Sequence, residues 1–412
     1  MNRTICLLLT LLMAVTAGAE GTRDDMRAAW RAIRSIGTDA PFTAEPRAVP
    51  PLEAGALSDA ALDGAVDTVN FLRGLAGLSP VSLSPIYTLE CQHGATLLAC
   101  LDYAAHDVPQ PEGVDAEFYR TAVQATRGSN VAKFNWTRPT MLEEAVLYFA
   151  RDDGDLNLTE LGHRRWLLDP AMRETGFGMA VSGSGSSYAL MYAVDHAGDG
   201  GAWDHVAWPS AGVFPAELMH GHLPWSVSLN EDVYDVAGSS ITVTLSEESL
   251  GLIFSFDCTA GKGDGECAVS FDRCGSGPAV IFRPGFTGTA FSDYLQNQVW
   301  TVRLEGLKDL EGREATIEYA VQMASLYVQE AASVDMSVNE LSLVPGERAA
   351  LSAQVVPDYA DDLALTWHSS DEAVVRVYAD GTVEAVAPGT ASVTAESANG
   401  RSDACLVTVR EG

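Results

Sequence analysis

The sequence predicts a multidomain protein: a helix-rich α/β domain followed by two β-sandwich modules. Three observations carry that prediction. Apolar residues recur at helical spacing between about residues 58 and 168, then switch to strict alternation at Phe177. Beyond about residue 206 there is no convincing helical pattern, only short strand-like runs separated by turn residues. The 412 residues suffice for two to three domains, each with its own core.

The chain opens with Arg3, an uncharged apolar run from Ile5 to Val15, and Ala17-Gly18-Ala19 ahead of Glu20. This is the layout of a signal peptide over residues 1–19 with an A-x-A cleavage site. The run is too short for a transmembrane helix, which needs roughly 20 apolar residues, and no later segment is long and apolar enough. The expectation is a secreted chain, free or associated with the cell surface, with no transmembrane segment in its mature part. Residues 20–57 hold a short amphipathic helix near Met26 to Ile36 and then an extended, Pro-rich linker.

The first domain spans residues 58–205. Ser58 caps a helix that presents Leu62, Val66, Val69 and Leu72 and stops near Gly77. Ser84 and Pro85 start a second, with Leu89, Leu97, Leu101 and Ala104 inward. Asp115 to Gly128 forms a third. Thr140 and Glu143 make a capping box for a fourth, so Glu143 is assigned to the cap and not to a ligand set. A short fifth helix, Leu161 to Leu168, is ended by Asp169-Pro170. Phe177, Met179 and Val181 then alternate, a Ser/Gly loop turns the chain, and Tyr188, Leu190, Tyr192 and Val194 alternate back as a hairpin that helices must cover.

Residues 206–331 carry seven strand-like runs: Trp225 to Leu229, Ile241 to Leu245, Leu252 to Phe256, Ala268 to Phe271, Val280 to Phe282, Val299 to Leu304 and Ala315 to Val321. Their spacing suggests a β-sandwich. Residues 332–412 repeat the theme around Asp380-Gly381 and Pro388-Gly389 turns as a separate sandwich.

The formal charge of −31 excludes nucleic acid as a partner, because phosphate binding depends on clustered Lys and Arg. Anionic lipids and wall polymers are disfavoured on the same ground unless a divalent cation bridges them. Of seven cysteines, Cys6 leaves with the leader. Cys91 and Cys100 sit on opposite faces of one helix, roughly 13 Å apart, and cannot pair. Cys258 and Cys267 flank a Gly-rich turn between strand-like runs, where the spacing permits a cross-hairpin disulfide. Cys274 and Cys405 have no evident partner.

The acidic run from Asp152 to Asn157 fails the EF-hand test: Leu158 stands where Gly is required and Arg164 where the bidentate Glu belongs. It reads as a solvated turn. His220-Gly221-His222, with His196 and His205 upstream, offers a second candidate metal cluster, but it sits in a connecting loop and no Cys or paired carboxylate accompanies it. No nucleophile elbow, Ser-x-x-Lys, His-Glu-x-x-His or phosphate-binding Gly loop occurs.

Asn70-Phe71-Leu72-Arg73 with Gly77-Leu78, His106, Ser129-Asn130-Val131, the stretch Leu161 to Pro170 and Thr175-Gly176-Phe177-Gly178 together resemble the CAP superfamily, the cysteine-rich secretory, antigen 5 and pathogenesis-related proteins, in its bacterial branch. The resemblance covers about residues 58–205. It implies an α/β/α sandwich with an open cleft, where two histidines and two acidic residues converge and hold a divalent metal in some members. By motif position His163 and His106 are those histidines. Where the family has a Glu-Asn-Ile-like stretch this chain has Ser129-Asn130-Val131, so the first carboxylate is missing; the second falls at Asp152 or Asp153. The implied cleft residues are His106, His163, Ser129 and Asn130, and the implied metal ligands His106, His163 and Asp152. A site of two imidazoles and one carboxylate would hold zinc or another divalent cation weakly and exchangeably, with reduced capacity for general-base work, so no cofactor is required. A structural reading stands beside each histidine: His163 fixing the turn into Arg164, and His106 ending a helix against its dipole.

Leu341 to Glu347, Leu365-Thr366-Trp367-His368-Ser369-Ser370-Asp371 and Ala379 to Ala391 resemble the bacterial group-2 immunoglobulin-like family, with Trp367 as core anchor. Such domains act as surface spacers or adhesion modules. The expected function is that of an exported, non-enzymatic CAP-domain protein binding an extracellular ligand, glycan or protein. Two alternatives remain: a metal-dependent hydrolase of cell-wall or host polymers using His106 and His163, and an adhesin or spacer acting through the immunoglobulin-like end.

Overall fold

The computed structural model describes residues 22–34, 40–152, 159–195, 197–198, 200–221, 223–275, 277–285, 294 and 296–411. The expected leader over 1–19, the stretch from Asp153 to Leu158, and His196 and His222 lie outside them. The chain divides into two compact units. The first runs to Tyr294 and resumes over Gln298–Ala324; the second is made of the short stretch between them and Ser325–Gly412.

The first unit begins with α1 (Arg23–Arg34), whose Met26, Trp30 and Ile33 share a buried face. Thr22 and Asp25 cap it reciprocally: each backbone N–H donates to the other's side chain, at 3.0 and 3.2 Å. The stretch expected as a linker is instead tied down. Its β1 (Phe42–Ala44) pairs with β2 (Ala56–Leu57), and the Ala54 carbonyl accepts the Gln92 side-chain amide at 2.8 Å. Gly55, at φ +68°, makes the hairpin possible, because a Cβ there would strike the Ala44 carbonyl.

Helix α2 (Asp59–Leu75) is capped by the Ser58 hydroxyl, which accepts the Ala61 N–H at 3.3 Å, and closes through Gly77 at φ +73°. After β3 (Ser82–Leu83) comes α3 (Pro85–Leu101), with Pro85 in its first turn; the Ser84 side chain makes no cap bond. Leu89, expected inward, is 56% exposed. Leu97 is buried as expected, and Cys91, Ala95 and Leu98 share the buried surface of α3, with Cys91 and Ala95 small enough to admit a strand backbone.

Helix α4 (Ala116–Gly128), capped by Asp115, runs into β4 (Ser129–Phe134). Then follow α5 (Met141–Arg151), α6 (Gly162–Leu167), β5 (Glu174–Thr175), β6 (Phe177–Val181) and β7 (Ser187–Tyr192). The expected hairpin β6–β7 is present, and β4 adds to its β7 side. Strand β3 pairs in parallel with β5. Helix α3 packs on β6 and β7, and α5 packs on β4, β6 and β7. Residues pointing both ways from β6 and β7 are accordingly buried. At Gly178 a Cβ would fall on the Cys91 backbone, so this glycine sets the closeness of α3 to the sheet.

The capping box assigned to Thr140 and Glu143 does not form. Thr140 makes no side-chain cap bond, and Glu143 is turned into the core against Gly64 of α2, 4% exposed. Tertiary packing of the first turn of α5 has displaced the local cap.

The same unit continues with β8 (His205–Trp208), β9 (Gly212–Pro215), β10 (Trp225–Leu229), β11 (Thr242–Glu247), β12 (Leu252–Asp257), β13 (Lys262–Gly263), β14 (Gly265–Ser270), β15 (Ala279–Pro284), β16 (Val299–Lys308) and β17 (Glu314–Ala324). All seven expected runs form strands, and His205 opens β8. The order is β14-β15-β10-β8 in one sheet and β13-β12-β11-β16-β17-β9 in the other. Aromatics bridge the sheets: Trp225 lies 6.4 Å from Trp300 and Phe256 lies 5.6 Å from Phe282, ring centre to ring centre. The Trp225 indole N–H donates to the Tyr294 hydroxyl at 2.7 Å, which satisfies the polar end of a fully buried side chain.

The second unit holds a four-stranded sheet of Glu340–Leu343, Ser402–Val409, Gly389–Ser397 and Leu365–Ser369. A three-stranded sheet is formed by Arg348–Ala350, Thr382–Ala385 and Val375–Val377. Val375, Val383, Val393, Cys405 and Val407 fill its core. Trp367, expected as the central anchor, is only half-buried: its ring packs at the margin of that core over the Asp380-Gly381 turn, where a Cβ on Gly381 would be 2.9 Å from it.

Candidate functional site

Helix α6 organises the site. Asp152, the residue closing α5, and Leu161, the residue preceding α6, both adopt left-handed backbone, at φ 48° and 49°. Asp tolerates this conformation; Leu does not, at a cost of about 1–2 kcal/mol. Leu161 is held there because its side chain is buried against Ala279 and Ile281 of β15. The β-sandwich thus supports the turn that presents His163.

Asp152 is 1% exposed, and its carboxylate serves α6 twice. Oδ1 accepts the His163 Nδ1–H at 3.0 Å and Oδ2 accepts the Arg164 backbone N–H at 3.2 Å. A carboxylate only accepts, so the proton of the neutral imidazole is on Nδ1 and Nε2 is its basic nitrogen. The ring also packs 5.3 Å from Phe149.

His106 reaches the same tautomer from another direction. Its Nδ1–H donates to the Thr126 carbonyl at 2.8 Å, and the Thr126 hydroxyl donates back to the His106 carbonyl at 2.7 Å. The helix end it meets is therefore that of α4, whereas the sequence suggested the helix preceding it. Asn130, nearly fully buried, donates from Nδ2 to the His163 carbonyl at 2.9 Å. The Ser129 hydroxyl lies 3.4 Å from the Cys91 sulfur, a thiol that burial pushes up to about 12. Ser129 is thus engaged away from either histidine.

His106, His163, Ser129 and Asn130 line one cavity of about 280 Å³, with Arg127, Glu160, Trp166 and Cys274. A larger groove of about 760 Å³, bordered by Leu52, Leu89, His93 and Phe118, lies elsewhere on the first domain and contains none of the expected residues.

Asp152, expected as a ligand, is not on the cavity wall; it orients His163. Among the described residues no three His, Cys, Asp or Glu side chains are grouped closely enough to hold a metal ion. Among the described residues, Glu160 and Cys274 share the cavity wall with the two imidazoles but are not grouped with them closely enough to complete a tetrahedral zinc site.

Three motif residues tie this site to its surroundings. Arg73, fully buried, donates from Nη1 to the carbonyls of Leu167 and Asp169 at 3.0 and 2.9 Å, closing the far end of α6. Burial pushes its guanidinium down to about 10, with Asp169 opposing. Arg164 donates from Nε to the Ala150 carbonyl and from Nη1 to the Pro224 carbonyl, both at 2.7 Å. Arg165 donates from Nη2 to the carbonyls of Asp272 and Gly277 at 2.7 and 2.6 Å. Both guanidiniums cross from the first domain into the β-sandwich. Gly275, at φ +63°, lets the loop after β14 press on the Arg165 carbonyl, which brings Cys274 onto the cavity wall. Burial pushes the Cys274 thiol up, and Arg165 opposes it.

The sequence carried no signal for Cys274 or Glu160 as wall residues. Cys274 stands in a turn more than a hundred positions from His163, and only tertiary docking joins them.

Residues 66–194 match the model of the cysteine-rich secretory protein family, and residues 330–407 that of the bacterial Ig-like domain, group 2. A lacto-N-biosidase of Bifidobacterium bifidum is 55% identical over 71 residues, 17% of this chain and 6% of that protein. An alpha-L-arabinofuranosidase of Bifidobacterium longum subsp. longum is 34% identical over 110 residues, 27% and 9% of the two. The chain spans less than a tenth of the length of either relative. Among solved structures, a C-terminal fragment of intimin in complex with the translocated intimin receptor shares 12% identity over 50% of this chain and 64% of that one. Its TM-score of 0.17 is too low to define a common fold. No helix among the described residues is long and apolar enough to cross a membrane. The chain carries a domain of the cysteine-rich secretory protein family and, C-terminal to it, a group-2 bacterial immunoglobulin-like domain, the make-up of an extracellular-type multidomain protein.

Proposed function

We propose that this chain is an exported binding protein, not an enzyme, whose first domain is an α/β/α sandwich with His106 and His163 in its ligand cleft. The observation that carries the reading is the fixed state of the cleft side chains. His163 is locked by Asp152, His106 by Thr126 and Asn130 by the His163 carbonyl, which makes a preformed polar surface around a cavity of about 280 Å³. Preformed sites of this kind hold a small ligand or a projecting side chain with little ordering cost. The ligand class is an extracellular glycan or protein segment, and the immunoglobulin-like domain serves as spacer or as a second contact.

The test uses the full chain beside His163→Ala and His106→Ala, titrated by calorimetry with a panel of free wall and host glycans and peptides. The expected result is at least one ligand whose affinity falls about tenfold or more in each variant. Turnover of a peptide, glycan or ester that disappears with His163→Ala would overturn the reading.

A further inference from the structure

Cys258 and Cys267 belong to neither histidine nor cleft. Cys258 directly follows Asp257, the residue of β12 that pairs with Lys262 of β13. The Cys267 sulfur, in β14, lies 3.5 Å from the Lys262 carbonyl. The two side chains therefore meet across the same residue, within hydrogen-bonding reach of each other. Both are thiols in this structure, so the disulfide that the spacing permits is not formed here. Burial pushes both thiols up, Cys258 the more deeply buried, so at neutral pH they rest protonated. Cys267 is partly exposed and Cys258 is 2% exposed.

The strands involved belong to different sheets. Strand β13 is the edge of the six-stranded sheet and β14 the edge of the four-stranded one. A bond here would join both sheets at one margin, beside the loop after β14 that carries Cys274.

We propose that Cys258 and Cys267 are a disulfide-forming pair that staples the two sheets of the β-sandwich when the chain meets an oxidising exterior. The oxidant is a disulfide-donating protein or low-molecular-weight disulfide of that compartment. Cys267, the more accessible of the two, loses its proton and its thiolate attacks the donor disulfide, expelling one donor thiolate. The Cys258 thiolate then attacks the Cys267 sulfur and expels the other. One S–S bond forms in the protein and one breaks in the donor; two electrons pass to the donor, which leaves as two thiol groups, on one donor protein or on two small molecules, and the two protein thiol protons end on them. This inference does not rest on the cleft reading.

The test equilibrates the full chain with oxidised glutathione, blocks free thiols with iodoacetamide in denaturant, and digests without reduction after Lys, Arg and Glu. Cleavage after Glu248, Lys262, Glu266 and Arg273 places Cys258, Cys267 and Cys274 on three separate fragments. The expected result is the Cys258 fragment joined to the Cys267 fragment, lighter by two hydrogens than their sum. Full alkylation of both cysteines, or Cys267 joined to Cys274, overturns it. Cys258→Ser and Cys267→Ser provide a second reading: each should melt with the wild type in reductant and about 5–10 °C below the oxidised wild type without it. Oxidised and reduced wild type melting together would refute the staple.

Discussion

Truncating Arg164 to Ala should uncouple the first domain from the β-sandwich. The guanidinium is fully buried and donates to three carbonyls, of Ala150, Arg151 and Pro224, and to the Ser226 hydroxyl. Removing it leaves those acceptors without their charged donor and opens a void where the side chain beyond Cβ stood. Loss of one side of a buried, charge-assisted network costs about 3–5 kcal/mol. For a unit of this size each kcal/mol is worth about 2–4 °C, so the melting temperature should fall by about 6–20 °C. Calorimetry of the full chain is the assay. The transition should also broaden or split, because the two halves of the unit are joined through this residue and Arg165. Arg127→Ala is the control: its partner Asp107 is exposed, and such a pair contributes about 1 kcal/mol or less. If Arg164→Ala melted within a degree of Arg127→Ala, the clamp would be no more than a surface feature, and the reasoning would fail.

Two further outcomes follow from the packing. Glu143 has its carboxyl pushed up by burial, so the neutral acid is favoured in the folded state. Its contribution is then most favourable below the ordinary carboxylate range and is lost as pH rises through the raised folded value. Glu143→Gln should flatten this dependence and raise the melting temperature at pH 8 more than at pH 4; equal shifts at both would contradict the assignment. Gly275→Val forces a β-branched residue into left-handed backbone and a Cβ into the Arg165 carbonyl. The loop should lift, and the rate at which Cys274 is alkylated should rise at least about tenfold, the effect of roughly 1.4 kcal/mol in the opening equilibrium; an unchanged rate would show that the loop is not held there.

What could be read in advance was whatever depended on neighbours in sequence. Helix starts at Ser58 and Asp115, the seven strand runs of the middle module and the turn at Gly381 all rest on local chemistry, and all are present. The pairing of His106 with His163 on one cavity came through a motif resemblance, since nothing in their spacing brings them together. Local rules failed where tertiary packing outweighed them. Glu143 left its cap for a buried place against Gly64, Leu89 turned outward because the sheet takes the Cys91 face of α3, and the Pro-rich stretch before residue 57 was recruited into a hairpin. Asp152 was expected at the metal; its place behind His163 depends on two left-handed residues whose conformations no composition predicts.

The crossing arginines bear on how this domain can be transplanted. A chain cut near residue 205 would carry the whole family motif and yet strand two charged side chains in search of carbonyls that stayed behind. Leu161 would lose the cover that holds its unfavourable backbone, and the histidine beside it would lose its footing. The portable cassette is therefore longer than the motif: it extends to Ala324, and a fusion, a library or an immunogen built from the shorter piece would display a different surface from the one the native chain presents.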